Sequence, residues 1–190
     1  MAAPAQVIAE PEAGGADVLD LVDVGRPVEP FEAFYLREFP HLRLLALALV
    51  DPGFADDVAQ DALLVAYAHW RTVGLMESPA GYVRGICVHK AATWVRRRSR
   101  ERQLWARLST SRADPITSTA DVDSSDDESL FWAQIRALPH RQAQCAALHY
   151  AVDMPVAEIA ELLRCSEGTV KTHLYRARAA LAAAMNVSEE

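Results

Sequence analysis

Two clusters of residues in this sequence could do chemistry, and both suit nucleic acid. The first is the run Arg96-Arg97-Arg98-Ser99-Arg100, with Arg84, His89 and Lys90 before it and Trp94 and Trp105 on either side. Guanidinium groups track a phosphate backbone, and aromatic rings stack on exposed bases for about 1–3 kcal/mol each. The second is Glu167, Thr169, Lys171, Thr172, His173, Arg176 and Arg178, spaced along one short stretch. These side chains donate to and accept from base edges and phosphates. A catalytic constellation does not assemble. There is no Ser-His-Asp order, no glycine loop for phosphate and no cofactor motif. Cys145 and His149 are four apart and could share a helix face, but a buried thiol beside a surface histidine explains that spacing as well as a metal does. No catalytic residue, metal or cofactor is therefore expected, and an enzyme is the weakest reading.

The net charge of −7 argues at first against nucleic acid, but its distribution reverses that. Residues 1–32 hold seven acids and one base, and residues 113–128 hold six acids and no base. Between them, residues 84–107 carry eight bases against Glu101 alone. A concentrated basic stripe attracts phosphate even on an acidic chain. Cys87, Cys145 and Cys165 lie far apart with no CxxC spacing, which suggests reduced thiols in a cytoplasmic protein. The N-terminus shows no basic region followed by an apolar one, so no signal peptide is expected. The most apolar stretch, Leu42 to Val50, is about half a membrane span, so no membrane insertion is expected.

The elements that must position these clusters read as helices. Period-two alternation and hairpin dipeptides are absent, so the chain is expected to be all-α. Residues 1–29 read as a disordered acidic tail, 30–108 as a first helical domain, 109–127 as a flexible acidic linker and 128–186 as a second helical domain. In ADDVAQDALLVAYAHW, apolar residues fall at Ala55, Val58, Ala59, Ala62, Leu63, Ala66, Tyr67 and Trp70, the stripe of an amphipathic helix. Asp56, Asp57, Gln60 and Asp61 gather opposite. They either complement the helix dipole or form an acidic docking face. After a turn-like stretch from Arg71 to Pro79, a second helix places Val83, Ile86, Cys87, Ala91, Trp94 and Val95 on one face and ends in the arginine run. Core packing is the favoured role for Trp70 and Trp94.

In the second domain, Val156, Ile159, Ala160 and Leu163 mark a short helix. Ser166 can cap the next, whose buried stripe is Val170, Leu174, Ala177 and Leu181. A short helix, a tight turn and a second helix make a helix-turn-helix, whose second helix enters the major groove.

Together these segments resemble the extracytoplasmic-function group of bacterial sigma factors, in the sigma-70 family, from about Phe31 to Leu181. FEAFYLREFPHLRLLA resembles the first helix of the family's region two. ADDVAQDALLVAYAHW resembles its A-E-D-x-x-Q-E-x-F-x-x-x-W signature, which implies a polymerase-binding role for Asp56, Asp57, Gln60 and Asp61. SPAGYVRGICVHKAATWVRRRSRE resembles the segment that melts and reads the minus-ten element, which implies DNA contacts for Arg84, His89, Lys90, Arg96, Arg97, Arg98 and Arg100. Its ending is closest to an actinobacterial variant. The stretch from Ala137 to Leu181 resembles region four, the reader of the minus-thirty-five element. His89 stands where the family usually has Asn, Thr93 where many members have Asp, and Arg164 where a turn glycine is usual. The base-reading loop would fall within Thr72 to Ser78 and has no aromatic.

The resemblance implies a factor that binds core RNA polymerase and promoter DNA, and it adds an anti-sigma factor as an expected partner. Two other readings stay open. T-V-K-T-H-L also resembles the recognition helix of LuxR-type regulators, which would make this a free-standing helix-turn-helix regulator. A sigma-like interaction module without DNA binding is the other.

Overall fold

The structure, a computed structural model, describes residues 28–108 and 126–186. Every element among them is helical: α1 (Phe31–Leu47), a 3-10 turn (Pro52–Phe54), α2 (Ala55–Ala68), α3 (Trp70–Val73), α4 (Pro79–Leu108), α5 (Asp126–Ala137), α6 (His140–Ala151), α7 (Val156–Leu163) and α8 (Glu167–Asn186). The expected all-α class holds. Most of the expected tail and of the expected linker lies outside the described residues, but the end of the tail does not. Val28 and Glu29 are held against the first domain. The Trp70 indole N–H donates to the Glu29 carbonyl at 2.9 Å, and the Arg37 guanidinium pairs with the Glu29 carboxylate.

The first half is α1, α2 and α4 wrapped around a core of Phe34, Leu42, Leu45, Leu63 and Val83, all buried. Each such side chain contributes about 1.5–3 kcal/mol by leaving water. Small residues let the helices approach: Ala55, Ala59, Ala62 and Ala66 form the inner face of α2, all buried. Tyr67, expected in that stripe, is instead 60 % exposed, with its ring tilted against Phe31 at 4.9 Å. Trp70 has left the helix for α3, where it packs on Phe34 at 4.6 Å. Trp94 packs on Phe54 at 4.8 Å, so both tryptophans serve the core as expected. α4 begins at Pro79, a residue suited to a first helical turn. The Ser78 hydroxyl accepts the Gly81 N–H at 3.2 Å.

α1 and α4 are tied by a charge pair. Glu38 is only 4 % exposed, and the Arg84 guanidinium donates to its carboxylate at 3.2 Å. Arg37 reaches the other carboxylate oxygen at 3.4 Å.

The second half is α5 to α8, with Ile135, Leu148, Met154, Ile159 and Val170 fully enclosed. The two halves were expected to be joined only through the linker, but they are also docked. α6 touches α1, and α7 touches α4. The Arg136 guanidinium donates to the Leu47 carbonyl, and Leu162 sits over Gly85. Val88 and Ala92 of α4 are buried, although they lie outside the stripe expected for that helix. They face a cavity of about 190 Å³ closed from the other side by Leu138, His140 and Ala143.

Candidate nucleic-acid interface

The helix-turn-helix is built by its backbone. α7 ends at Arg164 in the left-handed region, φ 53 and ψ 53. The Cys165 N–H donates to the Ala160 carbonyl at 2.9 Å and the Arg164 N–H to that of Glu161 at 3.2 Å, a Schellman closure that usually employs glycine. Arginine in that conformation costs about 1–2 kcal/mol. Two residues later Ser166 caps α8, its hydroxyl accepting the Thr169 N–H at 3.1 Å. The sequence expectation for this cap is met.

Val170, Leu174, Ala177 and Leu181 turn inward and are buried. Glu167, Thr169, Lys171, Thr172, Arg176 and Arg178 are exposed on the other side. Local bonds already hold some of them. Lys171 pairs with Glu167 at 3.1 Å, the Thr172 hydroxyl donates to the Gly168 carbonyl at 2.8 Å, and Arg178 donates to the Tyr150 hydroxyl at 2.9 Å. Arg178 is thus oriented by α6. His173 departs from the expected set: it is only half-exposed, and its Nδ1 is buried without a partner. Tyr175, which the sequence reading left out, is 74 % exposed on the same helix. Its signal was its place between Leu174 and Arg176, off the buried stripe.

The basic stripe occupies the far part of α4. His89, Arg96, Arg97, Arg98 and Arg100 are exposed and Lys90 is half-buried. Lys90 lies 3.9 Å from Asp61, and Arg97 pairs with Glu101 at 3.1 Å. Arg98 stands 5.9 Å over the Phe54 ring. Arg84 does not join them. Its side chain is enclosed between α1 and α4 on Glu38, and its Nε is buried without a partner. A guanidinium committed in this way holds helices together and has little left to offer phosphate.

The acidic face of α2 is open. Asp56, Asp57, Gln60 and Asp61 are all exposed, with Arg43 bonded to Asp56 at 2.7 Å. Leu64 continues the same face one turn on and is 63 % exposed. An acid row ending in an exposed leucine is a better docking surface than acids alone, because burying the leucine adds a hydrophobic contribution. Among the described residues no group of three His, Cys, Asp or Glu is placed to hold a metal. Cys145 is enclosed in the core, while His149 Nδ1 faces the Met154 carbonyl at 3.4 Å. No helix among the described residues is long and apolar enough to cross a membrane.

Comparison with known proteins agrees with this geometry. Residues 129–181 match the family "Sigma-70, region 4". The chain is similar to the RNA polymerase sigma-E factor of Streptomyces coelicolor, 28% identical over 158 residues, covering 83% of this chain and 86% of the relative. The sigma-E factor of Streptomyces antibioticus is 27% identical over 157 residues, covering 83% and 84%. In fold, the chain is similar to the sigma factor RpoE solved with the anti-sigma factor NepR from Bartonella quintana, with a TM-score of 0.65, 24% identity and coverage of 83% of this chain and 97% of that one. It is also similar to CnrH solved with the cytosolic domain of CnrY, with a TM-score of 0.54, 19% identity and coverage of 83% and 88%. A two-part helical fold ending in a helix-turn-helix is the sigma-type architecture. The likeness to the sigma-70 family is thus carried by region 4 in the second half and by relatives named sigma factors along 83% of the chain.

Proposed function

We propose that this chain acts in the cytoplasm as a sigma factor, binding core RNA polymerase and directing it to promoters. The observation that carries the reading is the reach of the sequence likeness. Curated relatives named sigma factors align over 83% of the chain, through both halves. A free-standing helix-turn-helix regulator would share only the second half.

Exposure supports the residue roles that follow. Asp56, Asp57, Gln60 and Asp61, extended by Leu64, form the polymerase-docking face. His89, Lys90, Arg96, Arg97, Arg98 and Arg100 hold the minus-ten strand. Glu167, Thr169, Lys171, Thr172, Arg176 and Arg178 meet the minus-thirty-five duplex. The first domain is assigned to residues 30–108 and the second to 128–186, and the tether expected over 109–127 is shortened to 109–125 because α5 already begins at Asp126. The chain supplies binding free energy and specificity, and polymerase performs the nucleotidyl transfer. An anti-sigma factor is a fitting partner, since the sigma factor RpoE was solved with one.

The docked halves must separate to act. Elements about 25 base pairs apart lie about 85 Å apart along a duplex. Two domains in contact cannot read both. The stretch 109–125 can span at most about 60 Å, and the width of the two domains covers the remainder. Opening gives up the Val88, Ala92 and Leu162 contacts, so polymerase must bind the open form more tightly than the docked one.

The test is co-elution of the purified chain with bacterial core polymerase. The wild-type chain is expected to co-elute, and Asp57→Lys with Asp61→Lys to weaken that at least tenfold while leaving the fold intact. Unchanged co-elution of the double variant would remove the docking role from α2. No co-elution of the wild-type chain would overturn the sigma reading.

A further inference from the structure

We propose that Cys145 and Cys165 form a peroxide-oxidisable dithiol beneath the recognition helix, and that closing it as a disulfide displaces that helix from its reading position. The two cysteines come from different elements, α6 and the turn of the helix-turn-helix, and neither is bridged. They line one cavity of about 90 Å³, large enough for a small oxidant. His173 and Thr169 of α8 line the same cavity, as do Arg141 and Arg164.

The surroundings provide what thiol oxidation needs. The thiolate is the nucleophile. The His173 Nδ1 is buried without a partner, so an imidazole nitrogen in the cavity wall is placed to take a thiol proton. The two guanidinium groups bring positive charge to the same cavity wall. Burial comes first among the influences on Cys145 and pushes its thiol up to about 11; a charge on Cys165 pushes the same way, and Arg141 opposes them. Cys145 is also fully enclosed, whereas Cys165 is half-exposed. Cys165 is therefore the sulfur that meets the oxidant, and Cys145 the one that resolves it.

The steps balance with a peroxide as oxidant. The Cys165 thiolate attacks one peroxide oxygen, the O–O bond breaks, and Cys165 sulfenic acid and hydroxide form. The Cys145 sulfur then attacks the sulfenic sulfur, its proton leaves with the hydroxyl as water, and the S–S bond forms. Two thiols lose two electrons and the peroxide ends as two waters. A disulfide holds its Cα atoms about 4.4–6.8 Å apart. Cys165 lies between Arg164 and the Ser166 cap, so drawing it toward α6 moves the first turn of α8. Cys87 is a separate case: enclosed in the first half, its Sγ is 3.8 Å from the Leu42 carbonyl, and burial pushes it up to about 12.

The chemical claim is independent of the sigma reading; its effect on promoter recognition rests on it. The full chain, fully reduced, is treated with hydrogen peroxide in native buffer and mapped by mass spectrometry without reductant. The expected product is a monomer about two mass units lighter, with one linked peptide pair joining Cys145 and Cys165, reversed by a dithiol reductant. Cys165→Ser and Cys145→Ala should each abolish the link, and Cys87→Ala should retain it. With core polymerase, transcription from a minus-thirty-five-dependent promoter should fall about tenfold on oxidation, the loss of one good base contact, and Cys165→Ser should resist. Oxidation of Cys165 alone to the sulfinic acid, a dimer linked through Cys165, or two unreacted thiols in a natively folded chain would each overturn the dithiol. A Cys145–Cys165 link without change in transcription would overturn its effect on α8. Failure of the reduced chain to direct any transcription would strike the sigma reading while leaving the dithiol in place.

Discussion

The basic stripe of α4 and the exposed face of α8 would offer nucleic acid different chemistry. On α4 the charges are consecutive: Arg96, Arg97, Arg98 and Arg100 wrap much of the helix circumference. Consecutive charges cannot present a register of base contacts, but they neutralise phosphates wherever the strand runs. On α8 the exposed residues recur on one side of a buried stripe and mix carboxylate, hydroxyl, ammonium and guanidinium groups. That mixture can tell one base edge from another. On the proposed function, one helix supplies salt-dependent grip and the other supplies sequence choice. The supports differ as well. α4 is anchored by a buried ion pair to α1, and α8 by a strained turn and a single serine cap.

The largest effect expected from breaking this contrast is structural. Glu38→Gln removes the partner of Arg84 in an enclosed site, and an unpaired buried charge costs about 3–5 kcal/mol. Urea unfolding should show that loss. A variant of native stability that had lost only promoter affinity would mean that Arg84 belongs to the reading face after all. Next comes the grip. Replacing Arg96, Arg97 and Arg98 by alanine should lower the slope of log affinity against log salt for the holoenzyme by about two to three units. Sequence preference should not change. If preference changes and the slope does not, the roles of the two helices are reversed.

Single changes on α8 come third. Thr169→Ala or Lys171→Ala should each cost about 1–3 kcal/mol of discrimination at particular minus-thirty-five positions if it contacts a base. Binding competition against a library of substituted sites would read this out. A uniform loss across all sites would make that residue a phosphate contact. Arg164→Gly should raise stability by about 1 kcal/mol, because glycine accepts the left-handed turn without strain. Thermal unfolding measures it, and no gain would mean that the Arg164 side chain makes good the strain.

The smallest effect concerns pH and the docked halves. Burial, then Arg141 and Arg96, hold the His140 imidazole below its ordinary pKa. A depressed histidine favours the neutral form, so its contribution is complete above about pH 6.5. It is lost as the pH falls from there through the depressed value. Docking of the halves, followed by an interdomain distance probe, should weaken mildly over that acid range. His140→Gln should flatten the trend.

Much of this could be read from the sequence because the helices are amphipathic and short-range. The α2 stripe was found up to Ala66, and the Ser166 cap and the inward residues of α8 were found in full. What could not be read depends on residues far apart. Arg84 looks like any other member of the basic stripe until Glu38, 46 positions earlier, is brought beneath it. Tyr67 fits the α2 period but meets Phe31 at the edge of the core, where it stays largely exposed. The docked halves left only a faint sign: α4 carries Val88 and Ala92 beyond the single apolar face that the first half requires. Val28 and Glu29 looked like part of a polar tail because the indole of Trp70 that holds Glu29 lies 41 positions away.

The central claim is that one chain reads two separated DNA elements for polymerase. Mapping transcription start sites made by core polymerase with this chain on a genomic promoter pool tests it most directly. The account predicts two shared blocks upstream of the starts, about 25 base pairs apart centre to centre, one a melted element and the other an intact duplex site. A single shared block, or starts no different from those of core polymerase alone, would contradict it.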